Sequence, residues 1–112
     1  MTLDTDPRSG LMIVVHASFP IDPDRRTEAI AAARTLVEHT REEPGTITYH
    51  ATTDLAAENT LRFIERYEDA AAFESHTETD HFQTFEAKLP ELLADDPEIV
   101  RFEVEDATEL EL

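Results

Sequence analysis

The spacing of hydrophobic and polar residues divides the chain into short elements typical of an α+β domain. Residues 11–19 form a β-rich run, which predicts a first strand. Asp22 followed by Pro23 predicts a helix start, with a side-chain acceptor at the cap and proline in the first turn. Apolar residues then recur every three or four positions up to about Glu42, where a Pro-Gly pair follows. The first two elements are therefore a strand and an amphipathic helix.

The middle of the chain predicts a hairpin. In residues 46–53, Ile, Tyr and Ala alternate with Thr and His, and residues 60–68 form a second strand-like run. Residues 54–59 lie between these runs and contain Asp and Asn, which favour turns. We expect two antiparallel strands joined by this turn.

The rest of the chain predicts a divided helical region and a last strand. Asp69 is placed to cap a short helix, and a second helical pattern begins near Asp80. Pro90 lies inside that pattern, where a kink or a break is expected. Residues 98–104 form the fourth strand.

The order β-α-β-β-α-β, with a split second helix, predicts an α+β, ferredoxin-like fold. Helices would cover one face of a four-stranded antiparallel sheet. A second copy of the chain would cover the other face, which predicts a homodimer. The domain is expected to span residues 11–106, between a disordered leader (residues 1–10) and a C-terminal tail (residues 107–112). No apolar run approaches the roughly 20 residues that span a bilayer and no secretion signal is present, so we expect a cytoplasmic protein.

The charge balance argues against several classes of partner. The chain has 26 acidic and 9 basic residues, a formal net charge of −17. Nucleic acid and anionic membranes are bound through Lys and Arg, so we expect neither as a partner. The acidic residues are spread along the whole chain, which favours a halophilic protein adapted to a salty cytoplasm. The alternative is a moderately acidic protein with a solvated charged face. The chain has no cysteine, which excludes disulfides and thiolate chemistry.

Strand periodicity places one carboxylate on an inner face. Leu61, Phe63, Glu65 and Tyr67 share a face, and its apolar members indicate that it lies beneath the helices. A buried Glu65 would act as a general base, as the orienter of a histidine, or as a structural carboxylate. The opposite register, with Ile64 inward, is the alternative.

Histidines supply the other candidate bases. His76 and His81 flank the break between the two helical pieces, and imidazole titrates near neutral pH; capping or surface positions are the alternative. His16 and Ser18 share a face of the first strand and line the same cavity if that face is inward. His76 and His81 are five residues apart, which does not place them on one helical face, so no metal site is predicted. Only two glycines occur, so no phosphate-binding loop is expected.

Several motifs resemble the antibiotic biosynthesis monooxygenase family. They are Glu43-Pro44-Gly45 followed by Tyr49, the run Phe63-Ile64-Glu65-Arg66-Tyr67-Glu68-Asp69 with Ala72, Phe73 and His76, and His81-Phe82 with Phe85. Within the family, the chain is similar to the small proteins described as quinol monooxygenases. The resemblance implies a dimeric α+β barrel with a ligand pocket between the helices and the sheet.

The resemblance also implies chemistry. Characterised members are cofactor-independent monooxygenases of phenols and quinols, so a small aromatic substrate and O₂ are expected, with no cofactor. The haem-degrading branch is not matched, because Glu86 takes the place of its iron-ligating histidine. His76 or His81 is expected to act as the base, and Glu65 is expected to orient that histidine. Tyr67, at a position where many members have Trp, and Tyr49 would donate hydrogen bonds. The pocket wall would be formed by Phe63, Phe82 and Phe85. The alternative is a non-catalytic dimeric module that binds a small aromatic metabolite or acts in stress response.

Overall fold

The computed structural model describes residues 10–112, and these form four strands, three α-helices and one 3-10 turn. In chain order they are β1 (Met12–Pro20), the 3-10 turn (Pro23–Arg25), α1 (Arg26–Thr40), β2 (Thr46–Asp54), β3 (Ala57–Tyr67), α2 (Ala70–Thr77), α3 (Asp80–Leu92) and β4 (Glu98–Val104). The predicted α+β, ferredoxin-like order with a divided second helix is confirmed. The predicted leader, apart from Gly10, lies outside the described residues. Within residues 10–112, no helix combines the length and apolar character required to cross a membrane.

The four strands form one antiparallel sheet in the order β2-β3-β1-β4. Its inner face, beneath the helices, carries the alternate residues of β1 and β3 and most of the buried core. Leu61, Phe63, Glu65 and Tyr67 are all buried there, with Glu65 only 6% exposed. The predicted register of β3 is therefore confirmed, and Glu65 faces inward.

The opposite face of the sheet is left open. Ile64, Val100 and Phe102 are 44%, 40% and 43% exposed on it. His16 and Ser18 also lie on this open face, and the His16 ring contacts Phe102 with centroids 5.3 Å apart. The prediction that His16 and Ser18 line the cavity from the sheet side is wrong, because the alternation of β1 turns its odd-numbered residues inward.

Three element boundaries differ from the predictions for local reasons. The hairpin turn is shorter than residues 54–59, because Asp54 pairs with Ala57 and its carboxylate accepts a hydrogen bond from the amide of Ala56 at 2.8 Å. The first helix begins as a 3-10 turn after its Asp cap and ends at Thr40. Pro90 does not break α3, which continues to Leu92, because proline in the last turn removes only one backbone donor there.

The turn between α1 and β2 packs tightly against α2. A Cβ atom on Gly45 would lie 2.4 Å from the Cβ of Ala72, so only glycine fits at this contact. Asp69 caps α2 as predicted, with its side chain accepting from the amide of Ala72 at 2.8 Å. Thr79 caps α3 and also donates a hydrogen bond to the carbonyl of His76 at 2.7 Å. These contacts join the turn after α1 to the first turn of α2, and the end of α2 to the start of α3.

Candidate functional site

An apolar cavity of about 160 Å³ lies between the sheet and the helices. Aromatic side chains dominate its wall: Phe19, Tyr49, Phe63, Phe73, Phe82 and Phe85. Phe19, Phe63 and Phe85 contact one another edge to face, with ring centroids 5.5–6.0 Å apart. Four predicted pocket residues, Tyr49, Phe63, Phe82 and Phe85, thus meet at one cavity.

Two carboxyl groups line this cavity. Glu65 is buried in the sheet wall, whereas Glu86 is an exposed residue of α3. The hydroxyl of Tyr67 donates a short hydrogen bond to Oε1 of Glu65, with the oxygens 2.5 Å apart. Burial raises the pKa of Glu65 to about 7, and the negative charge of Glu43 adds to the rise, whereas the hydrogen bond from Tyr67 opposes it. Glu65 is therefore poised to exchange a proton near neutral pH.

The two tyrosines beside Glu65 stay protonated. Burial and the negative charge of Glu65 raise the pKa of both Tyr49 and Tyr67 above the ordinary value for a phenol. Tyr49 reaches the cavity wall, whereas the proton of Tyr67 is engaged by Glu65. Tyr67 thus holds the orientation of Glu65.

A second group of titratable side chains lies beside the cavity, formed by Glu43, His76 and His81. Oε2 of Glu43 lies 3.0 Å from Nδ1 of His76 and 2.5 Å from Nε2 of His81. His76 is 1% exposed, and its burial lowers its pKa, although the carboxylate of Glu43 opposes that change. Its other nitrogen, Nε2, has no hydrogen-bond partner among residues 10–112.

The structure places the predicted bases differently from expectation. His76 and His81 do not line the aromatic cavity; the His76 ring packs against Tyr49, Tyr67 and Phe82, with centroids 5.1–5.4 Å away. The expectation that Glu65 orients a histidine is wrong, because Tyr67, two residues along the same strand face, takes its hydrogen bond.

Glu43 is the partner of both histidines, although the sequence alone predicts no chemical role for it. In the sequence Glu43 is only part of the turn Glu43-Pro44-Gly45, and no local pattern links its carboxylate to either histidine. The spacing argument against a metal site is also wrong. His76 lies in the last turn of α2 and His81 in the first turn of α3, so the spacing expected on a single helix does not apply to them. Glu43, His76 and His81 present three ligand atoms within 4.8 Å of one another and could hold a metal ion.

Known proteins are similar to this chain in sequence and in fold. The profile of the family described as "Antibiotic biosynthesis monooxygenase" matches residues 12–88. The chain is 40% identical over 93 residues to a Bacillus subtilis protein described as "Putative monooxygenase YcnE", covering 83% of this chain and 98% of that protein.

Solved structures agree with that relationship. A conserved protein from Methanosarcina mazei superimposes with a TM-score of 0.81 at 28% identity, covering 88% of this chain and 97% of the other. A structure described as an antibiotic biosynthesis monooxygenase gives a TM-score of 0.77 at 29% identity, covering 87% and 99%. The predicted family and fold are thereby confirmed: the chain belongs to the antibiotic biosynthesis monooxygenase family.

Proposed function

We propose that this chain is a cofactor-independent monooxygenase that oxidises a small phenol or quinol with O₂. The observation that carries the proposal is Glu65, a buried carboxyl on the wall of an otherwise largely apolar, aromatic cavity. The cavity volume of about 160 Å³ is close to that of an engineered protein cavity of roughly 150 Å³ that binds benzene. A substrate with one aromatic ring therefore suits this site in size.

Glu65 is the group best placed to act as the base. Because the pKa of Glu65 is about 7, a large share of the molecules carry it as a carboxylate at neutral pH and the rest carry it protonated. The same group can therefore accept a proton and later return it. The carboxylate takes the hydroxyl proton of the bound phenol, while the hydrogen bond from Tyr67 fixes its position. This assignment moves the role of base from His76 and His81 to Glu65, because only Glu65 among these three lines the cavity.

The oxidation that follows needs no electron source beyond the substrate. The phenolate passes one electron to O₂, and the resulting radicals combine at a ring carbon to form a peroxide. The O–O bond then breaks: one oxygen atom stays on the ring and the other leaves as water, using the ring hydrogen and the proton held by Glu65. A quinol is thereby converted to a hydroxyquinone and water. The apolar walls exclude solvent from the peroxide while it forms.

Oxygen uptake tests this proposal. The full chain in molar KCl should consume O₂ with a one-ring quinol at a rate above autoxidation. Glu65→Gln should lower that excess by about 10²- to 10⁴-fold, the usual contribution of a general base. Glu74→Gln, on the exposed side of α2, is the matched control and should leave the rate unchanged. No excess over autoxidation would end the proposal, and saturable quinol binding without uptake would favour the non-catalytic aromatic-binding alternative.

The active form we propose is a homodimer that buries the open face of the sheet. The half-exposed Ile64, Val100 and Phe102 form an apolar surface there that a second copy would cover. Phe102→Lys should shift the chain to monomer in sedimentation analysis, whereas Leu55→Lys, at the fully exposed hairpin turn, should not. A monomeric wild-type chain, or a Phe102→Lys variant that stays dimeric, would contradict this assignment.

A further inference from the structure

We propose that Glu43, His76 and His81 form a binding site for one divalent transition-metal ion such as Zn²⁺ or Co²⁺. The group offers two imidazole nitrogens and one carboxylate oxygen, a donor set that proteins use for zinc and for non-haem iron. None of the three side chains lines the aromatic cavity that holds Glu65. The site is therefore distinct from the cavity, although the negative charge of Glu43 also contributes to the raised pKa of Glu65.

The two distances to the carboxylate suit a shared ion after a small adjustment, and all three ligand atoms lie within 4.8 Å of one another. Ligand atoms bound to zinc at about 2.0–2.2 Å lie roughly 3–3.5 Å from each other in tetrahedral or octahedral geometry. Oε2 of Glu43 and Nδ1 of His76 are already 3.0 Å apart. Nε2 of His81 must move away from the carboxylate by less than about 1 Å, from its present 2.5 Å. His81 lies in the first turn of α3 and is 22% exposed, so its side chain has room for this movement.

An ion has a route to the site. The side chain of Glu43 is 14% exposed, and His81 lines a surface depression together with His39 and Asp80. The rings of His39 and His81 have centroids 5.6 Å apart. The formal net charge of −17 raises the concentration of cations near the protein surface. Asp80 adds a carboxylate to the depression that His81 lines. An entry path of this kind is one requirement of a working metal site.

The three ligands come from three different parts of the fold. Glu43 lies in the turn after α1, His76 near the end of α2, and His81 at the start of α3. An ion bound by all three would tie these segments together, and binding to the folded chain alone would raise its thermal stability. The close contact of Gly45 with Ala72 already fixes the turn beside α2, so the site is largely formed before the ion arrives.

Titration of the full chain with Co²⁺ tests the inference, in molar KCl to suppress loose binding to surface carboxylates. Saturable visible bands of a protein-bound ion, at one Co²⁺ per chain, and displacement by Zn²⁺ are expected. His81→Ala and Glu43→Gln should weaken binding at least about 10-fold. His50→Ala is the matched control and should bind like wild type, because His50 is exposed and its Nδ1 contacts Arg41 instead.

Two results of the titration would overturn the inference. One is the spectrum of the hydrated ion alone; the other is equal Co²⁺ affinity in wild type and His81→Ala, which would mean adventitious binding to the acidic surface only. If a variant fails to fold by circular dichroism, imidazole ¹⁵N shifts of the wild-type chain decide instead. Zn²⁺ should shift Nδ1 of His76 and Nε2 of His81 but not the nitrogens of His16, and unchanged His76 and His81 signals would refute the site.

Discussion

Replacement of Glu65 by glutamine tests whether an ionised carboxyl is costly in the cavity wall. Glutamine has nearly the same volume, and its amide oxygen can still accept the hydrogen bond from Tyr67, so the change chiefly removes ionisation. Burial raises the pKa of Glu65 from 4.5 to about 7, so the folded chain holds this proton more tightly than the unfolded chain. Wild-type stability therefore falls as the pH rises from 4.5 through 7, and the variant lacks this contribution.

The size of the effect follows from the shift. One pKa unit corresponds to about 1.4 kcal/mol, so the full shift corresponds to about 3 kcal/mol in the free energy of unfolding. Most of this change, about 2–3 kcal/mol, falls between pH 5 and pH 8, because the remainder occurs below pH 5. Titratable groups that do not interact with Glu65 contribute to wild type and variant alike and cancel in the comparison, whereas the neutral side chain of Glu65→Gln also removes the repulsion between Glu65 and Glu43.

Urea unfolding in molar KCl at pH 5 and pH 8 measures this difference. Between the two pH values, Glu65→Gln should gain about 2–3 kcal/mol in stability relative to wild type. Glu74→Gln removes an exposed carboxyl and should follow the wild type at both pH values. Parallel pH dependences for wild type and Glu65→Gln would refute the reasoning, because they would mean that Glu65 ionises in the folded chain as easily as in the unfolded chain.

Two further predictions concern the framework of the fold. Gly45→Ala places a Cβ 2.4 Å from the side chain of Ala72, so it should lower the free energy of unfolding in urea by about 1–3 kcal/mol. Gly10→Ala is the control, because a Cβ at Gly10 would have nothing within 4 Å. Equal stability of the two variants would contradict the packing argument. The thermal melting temperature should rise between low and molar KCl, because salt screens the repulsion of a chain with formal net charge −17; a flat salt dependence would count against a halophilic protein.

The faces of the strands were predictable only where the two faces differ in polarity. In β3, Phe63 and Tyr67 alternate with Arg62 and Arg66, so the inner face and the burial of Glu65 could be read from the sequence. In β1 both faces carry aliphatic residues, so alternation alone did not say which face is inward. The structure resolves this through the pairing of β1 with β3, which sets Val15 opposite Glu65 and leaves His16 on the open face.

The Glu43 cluster could not be predicted from local spacing. Its carboxylate is 33 positions from His76 and 38 from His81, and the contact depends on how the turn after α1 packs against α2. Gly45 signals a turn in the sequence, but its role as the point of closest approach to Ala72 exists only in the folded chain. Motif spacing therefore indicated the family and the cavity residues, whereas the pairing of acids with their partners required the tertiary structure.

The pH dependence of kcat/KM for O₂-dependent quinol oxidation tests the central claim, that Glu65 is the base. After subtraction of autoxidation, kcat/KM should rise with pH and level off above an apparent pKa near 7, the value that burial imposes on the free enzyme's Glu65. Glu65→Gln should abolish this rise together with most of the activity. A profile that is flat from pH 5 to pH 9, or a rise that persists in Glu65→Gln, would contradict the account.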